Sequence, residues 1–117
     1  MKKIILLITI ISGFGFATSF VSPINFSGSQ AEKDRVVDYI KKDVKRTYSQ
    51  IGMDDPMTLR MMEKENLDAF KELLSVKNTS LLQRVITQYC NIGMCNYTTI
   101  KMMYYEQNKA STKKLTW

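Results

Sequence analysis

The sequence contains no histidine and only two cysteines among its 117 residues. Without histidine the chain cannot build a Ser-His-Asp or Cys-His catalytic unit, or a metal site that uses imidazole ligands. Two thiolates are too few for a four-cysteine zinc site, or for holding an iron–sulfur cluster alone. Enzymes that depend on these catalytic units or on these metal sites are therefore excluded, and we expect no cofactor.

The chain has one long uncharged apolar stretch, which lies at its start. Lys2 and Lys3 precede an apolar run over residues 4–16, and small residues follow at 17–19. This three-part layout is typical of a secretory signal peptide. We predict a signal peptide over residues 1–19, with cleavage before Phe20; cleavage before Thr18 also fits. The alternative is an uncleaved anchor over residues 4–21, because that stretch is just long enough to span a membrane.

Cleavage would leave a small basic protein in the periplasm or outside the cell. Loss of Lys2 and Lys3 reduces the excess of basic over acidic residues from six to four. The remaining length suits one modest domain. Basic residues predominate at the two ends of this chain and acidic residues in its middle, so it has no uninterrupted basic face of the kind that binds nucleic acid. We expect no nucleic-acid partner.

Residues 20–29 are rich in serine, with one proline and one glycine, and predict a flexible lead-in. A helix should follow, because Ser29 and Glu32 have the spacing of a capping box. Its apolar stripe has steps of three and four residues, and Gly52 should end it. The stripe consists of Val37, Ile40, Val44, Tyr48 and Ile51.

Three further helices are predicted. Asp55 caps the second and Pro56 occupies its first turn, with a stripe over 59–73 that Asn66 interrupts. Ser80 and Gln83 predict a capping box for the third. Asn96 caps the fourth, although residues 97–105 also have strand propensity. The sequence thus predicts an all-α fold, a small three- or four-helix bundle over 30–108, with a basic tail over 109–117.

Cys90 and Cys95 should form a disulfide after export, because exported thiols meet an oxidising compartment. Residues five apart on a continuous helix point in directions about 140° apart, so the bridge requires a break between them. Gly93 supplies it. We predict a disulfide-stapled corner between the last two helices; redox activity and pairing with another chain are the alternatives.

Methionine and tyrosine are the residues from which we predict a binding surface. The candidate partner-binding residues are Met57, Met61, Tyr97, Tyr104 and Tyr105. Met and aromatic side chains are enriched at the centres of protein interfaces. The alternatives are that these residues form the core of the bundle, or that thioethers bind Cu(I).

Carboxylates at 63, 65, 68 and 72 lie off the apolar stripe and should face water, which does not favour an enzyme. The sequence therefore predicts a non-enzymatic exported protein that binds another protein. Its role would be that of an accessory, inhibitor or immunity-type factor of an envelope system. The alternative is a membrane-tethered regulator, with the uncleaved leader as its membrane contact.

Overall fold

The computed structural model describes residues 19–117, so the predicted signal peptide and the alternative anchor lie almost entirely outside the described residues. In this range the secondary structure is four α-helices without a strand: α1 Gln30–Ser49, α2 Pro56–Leu73, α3 Thr79–Cys90 and α4 Tyr97–Ala110. The predicted all-α fold with four helices is confirmed. Residues 97–105, for which a strand is the alternative, are helical.

Local capping fixes where the helices begin. The side chains of Ser29, Asp55 and Asn96 accept hydrogen bonds from N–H groups three residues further on, at 3.1, 3.0 and 2.8 Å. These bonds satisfy donors that have no partner within the helix. The predicted cap of α3 is wrong: Asn78 caps it rather than Ser80. The backbone N–H of Asn78 donates to the Tyr104 hydroxyl at 3.2 Å, a tertiary contact that favours the earlier start.

The buried stripe of α1 differs from the predicted one at two positions. Val36, Ile40 and Val44 are buried, whereas Val37 is 39% exposed and Ile51 lies beyond the helix in an exposed turn. The steps of four residues keep the three buried side chains on one face of α1. The apolar positions 36 and 37 are adjacent in sequence, and only the packing partner decides which one enters the core.

The four helices pack in a row rather than in a closed ring. α1 packs on α2, α2 on α4, and α4 on α3. Side chains bridge α1 and α4 without close backbone approach, as in the edge-to-face contact of Tyr39 and Tyr97, whose ring centroids are 5.9 Å apart. None of the helices in the described range covers the remaining side of α1 and α2.

The predicted corner between α3 and α4 is confirmed. Cys90 and Cys95 are disulfide-bonded with their Cα atoms 4.1 Å apart, and α3 ends at Cys90. Gly93 has φ of 81°, the left-handed conformation that glycine adopts without strain. The Tyr39 hydroxyl donates to the Cys95 carbonyl at 2.6 Å, which attaches the corner to α1.

The predicted flexible lead-in packs against the helices. Residues 20–26, which we call the strap, place Phe20 on the rings of Tyr97 and Tyr39, and Phe26 edge-on to Phe70. The strap is ordered rather than flexible because it contains apolar side chains between its polar residues. Burial of these side chains offsets the loss of chain entropy. The strap and α4 together cover one side of α2.

Candidate functional site

Two of the predicted partner-binding residues lie in the core. Tyr97 has no exposed surface, and Tyr104 is buried with its hydroxyl bonded to the backbone of Asn78. Together with Ile100 they form the buried stripe of α4, at steps of three and four residues. Their assignment to a partner surface is therefore corrected: these two tyrosines hold the bundle together.

Tyr97 is the centre of the strap's attachment. Its hydroxyl donates to the Val21 carbonyl at 2.7 Å and accepts from the Val21 N–H at 3.3 Å. Its own N–H donates to the Asn66 side-chain oxygen at 3.1 Å, and the Thr98 N–H reaches the same oxygen at 3.4 Å. The Asn66 amide group in turn donates to the Met62 carbonyl at 3.0 Å. The asparagine that interrupts the predicted stripe thus supplements the cap of α4 from within the core.

The other three predicted residues are on the surface but do not form one site. Met57 and Met61 are 76% and 53% exposed and lie one turn apart near the start of α2. Tyr105 lies on α4, where its hydroxyl donates to Glu72 at 3.4 Å near the end of α2. The predicted set is therefore divided between the core and two separate parts of the surface.

The uncovered side of α1 and α2 contains an apolar groove. Two adjoining concavities of about 260 and 240 Å³ share Val37 and Leu67 as lining residues. We call them together the α1–α2 groove. Its apolar lining consists of Phe26, Val36, Val37, Ile40, Leu67, Phe70 and Leu74. The strap reaches one end of the groove through Phe26.

The rim of the groove is positively charged. Five cationic residues line it against one carboxylate, that of Glu63; the cations are Lys33, Lys41, Arg60, Lys64 and Lys71. The cations stand on both helices, so an object in the groove would have positive charge on either side. A concave apolar surface with charge of one sign on its rim selects partners of the opposite charge.

Only part of this positive charge is paired within the chain. Arg60 makes a bidentate pair with Glu63, at 2.8 and 2.7 Å, and this carboxylate raises the pKa of the Arg60 guanidinium. Lys64 donates to Asp68 at 2.9 Å, and that bond holds the pKa of the Asp68 carboxyl below its usual value. Among the ion pairs of residues 19–117, none involves Lys33, Lys41 or Lys71. These three lysines keep their charge available to a partner.

The sequence contains a signal for this groove that lies outside the core stripe of α2. A second stripe on α2 and its C-cap has steps of three, four, three, four and three residues and combines three apolar with three cationic side chains: Met57, Arg60, Lys64, Leu67, Lys71 and Leu74. Such spacing places all six on one face of a helix. Met57 thus lies on the face that lines the groove, one turn beyond Arg60.

The described part of the chain shows neither a metal-binding cluster nor a membrane-spanning helix. Within residues 19–117, no three histidine, cysteine, aspartate or glutamate side chains are grouped so that they could hold a metal ion. No helix in this range is both long and apolar enough to cross a bilayer. No protein-family model matches the chain, and neither a curated protein nor a solved structure matches it.

Proposed function

We propose that this chain is a small exported helical protein that acts by binding another protein, and that the α1–α2 groove is its binding surface. The observation that carries the proposal is the uncovered apolar floor between two rows of cations. Exposed apolar surface bordered by polar residues marks interaction sites in small proteins. The role would be that of an accessory, inhibitor or immunity-type factor in the cell envelope.

The Cys90–Cys95 disulfide supports the exported location. Structural disulfides persist in the periplasm and outside the cell, and are rare in reducing compartments. The bridge lies at the α3–α4 corner, which Tyr39 joins to α1, so it stabilises the scaffold on which the groove is built. This is the function of a structural bridge rather than of a redox centre.

Site-specific photo-crosslinking in the native host tests the proposal. A photoreactive phenylalanine analogue is introduced in place of Val37 or Leu74. Both native side chains line the groove and are partly exposed. We expect both positions to give an adduct with the same single protein. Position 83 is the matched control, because Gln83 is exposed on α3 and does not line the groove.

A charge reversal distinguishes a specific partner from random collision. Lys33→Glu combined with Lys71→Glu leaves the apolar floor intact and should abolish the adduct at positions 37 and 74. The proposal is wrong if the adduct forms equally at position 83, or if neither groove position yields a discrete adduct while the labelled protein is folded and exported.

A further inference from the structure

We propose that the occupant of the α1–α2 groove is an acidic amphipathic helix of the partner protein. This inference rests on the proposed function and adds the chemistry of what is bound. It follows from three features of the groove: its length and shape, the absence of a sheet edge in its two helical walls, and the placement of charge on both of its rims.

The dimensions of the groove match a short helix. Its lining on α2 extends from Arg60 to Leu74, which corresponds to about 21 Å at the rise of an α-helix. α1 forms the opposite wall over residues 33–41. A partner helix of about four turns would lie along this length and insert side chains between those of α1 and α2, as a further helix of a bundle does.

The walls offer side chains rather than backbone. Both are helices, and away from the helix ends their N–H and C=O groups are bonded within the helix, so a strand has no sheet edge to extend. A helix satisfies its own backbone and presents apolar side chains at every third or fourth position. Recognition by apolar side chains in a groove between helices is the helix-in-groove mode.

The cations lie where acidic residues beside such an apolar stripe would meet them. Lys64 and Lys71 are seven residues apart on α2, and Lys33 and Lys41 are eight apart on α1. These separations correspond to about two helical turns, or roughly 10–12 Å. Glutamates that are seven residues apart on each flank of a partner helix are spaced by about the same distance, so each can face one of these cations. Residues flanking a helical seam set partner choice in this way in coiled coils.

Other occupants fit these features less well. A second copy in the same groove would bring two positively charged rims together, which is unfavourable. A bilayer surface is flat, whereas the apolar floor is recessed between charged side chains. A single lipid chain would remain largely in water, because the groove is open along its length and ligand sites bury most of a small ligand.

Titration with synthetic peptides tests the inference. The probe is a 14-residue helical peptide (about the length of the groove) with leucine at every third or fourth position and glutamate on both flanks; the matched peptide has lysine in place of glutamate. We expect the glutamate peptide to bind and to shift the NMR signals of Val37, Leu67 and Leu74. The lysine peptide should bind at least tenfold more weakly, and added salt should weaken the glutamate complex.

Charge-swapped variants show whether the rim is responsible. Lys33→Glu with Lys71→Glu should weaken binding of the glutamate peptide at least tenfold and strengthen binding of the lysine peptide. Lys113→Glu with Lys114→Glu makes the same charge change in the exposed tail and should leave both affinities within twofold. Helical circular dichroism establishes that each variant is folded.

Several results would overturn the inference. Equal binding of both peptides, no binding of the glutamate peptide, groove-dependent self-association in sedimentation, or tighter binding to phosphatidylglycerol vesicles than to the peptide would each do so. If groove crosslinking in the host nevertheless identifies one protein, the proposed function holds and only the acidic helix is wrong. If crosslinking also fails, both are wrong.

Discussion

The two sides of α2 differ in what covers them. On one side α4, together with Phe20 and Val21 of the strap, buries Asn66 and Tyr97, and each polar group of these two residues that enters the core has a partner. On the other side α1 leaves the groove between Val37 and Leu67 open to solvent. Apolar residues occur on both sides, but within residues 19–117 only the first side is closed.

This difference separates residues that hold the fold from residues that remain available. Closing the first side requires aromatic contacts and hydrogen bonds between segments far apart in sequence, such as Val21 with Tyr97. The groove makes no comparable hydrogen bonds, and the outer side chains of its lining, Val37, Leu67 and Leu74, are only partly buried. Substitutions on the covered side should therefore change stability, and substitutions in the groove should change binding.

The largest effect is expected at Tyr97. Tyr97→Ala removes a fully buried ring and should lower the free energy of unfolding by about 3–5 kcal/mol in urea denaturation. Tyr97→Phe keeps the ring and removes only the hydroxyl that bonds Val21, so it should cost about 1–1.5 kcal/mol. Tyr105→Ala, on the exposed face of the same helix, should cost less than about 1 kcal/mol. Equal losses at positions 97 and 105 would contradict the assignment of Tyr97 to the core.

An intermediate loss of stability is expected at alkaline pH. Burial, with a smaller contribution from Asp43, raises the pKa of the Tyr39 hydroxyl from 10.0 to about 12. Burial also raises the pKa of Tyr97. Because the unfolded chain loses these protons first, their contribution to stability is complete below pH 10 and is lost as the pH rises through about 12.

Tyrosinate absorbance and unfolding measured between pH 9 and 12 check this expectation. Tyr39→Phe should remove one late-titrating group and reduce the loss of stability over this window. The titration curve of Tyr39→Phe is compared with that of the unmodified chain. If the variant lacks only a group with an ordinary tyrosine pKa, Tyr39 is exposed in solution, and part of the covered side is exposed with it.

The sequence predicts the helices better than it predicts their contacts. Ser29, Asp55 and Asn96 are recognisable as caps because each bonds a backbone N–H three residues away. The predicted start of α3 is two residues late because Asn78 and Ser80 are both good caps, and a contact with Tyr104 decides between them. The disulfide corner is predictable because covalent geometry and Gly93 leave few alternatives.

The site is harder to predict because it depends on which helices become neighbours. Tyrosine is a residue type that is common at interfaces, and Tyr97 becomes a core residue because Phe20 of the strap, Tyr39 and Phe70 pack around its ring. The groove forms because α1 packs on α2 while α4 packs on another side of α2. The sequence of a single helix does not show which helices will become its neighbours. The second stripe of α2 is visible in the sequence, but what lies opposite it is not.

The smallest change in stability is expected at one of two adjacent valines of α1, which mark the boundary between the core and the groove. Val36 is 2% exposed and belongs to the core beneath the groove, whereas Val37 is 39% exposed and stands at the surface of the groove. Val36→Ala should lower the free energy of unfolding by about 2 kcal/mol, because it removes fully buried methyl groups. Val37→Ala should change it by less than about 0.5 kcal/mol, yet weaken binding of the glutamate peptide. Both substitutions remove the same atoms from neighbouring positions of one helix, so helix propensity cancels in the comparison. A larger loss of stability for Val37→Ala than for Val36→Ala would mean that α1 is rotated relative to the structure. Val37 would then be a core residue, as its place in the predicted stripe implies, and the groove between α1 and α2 would be closed.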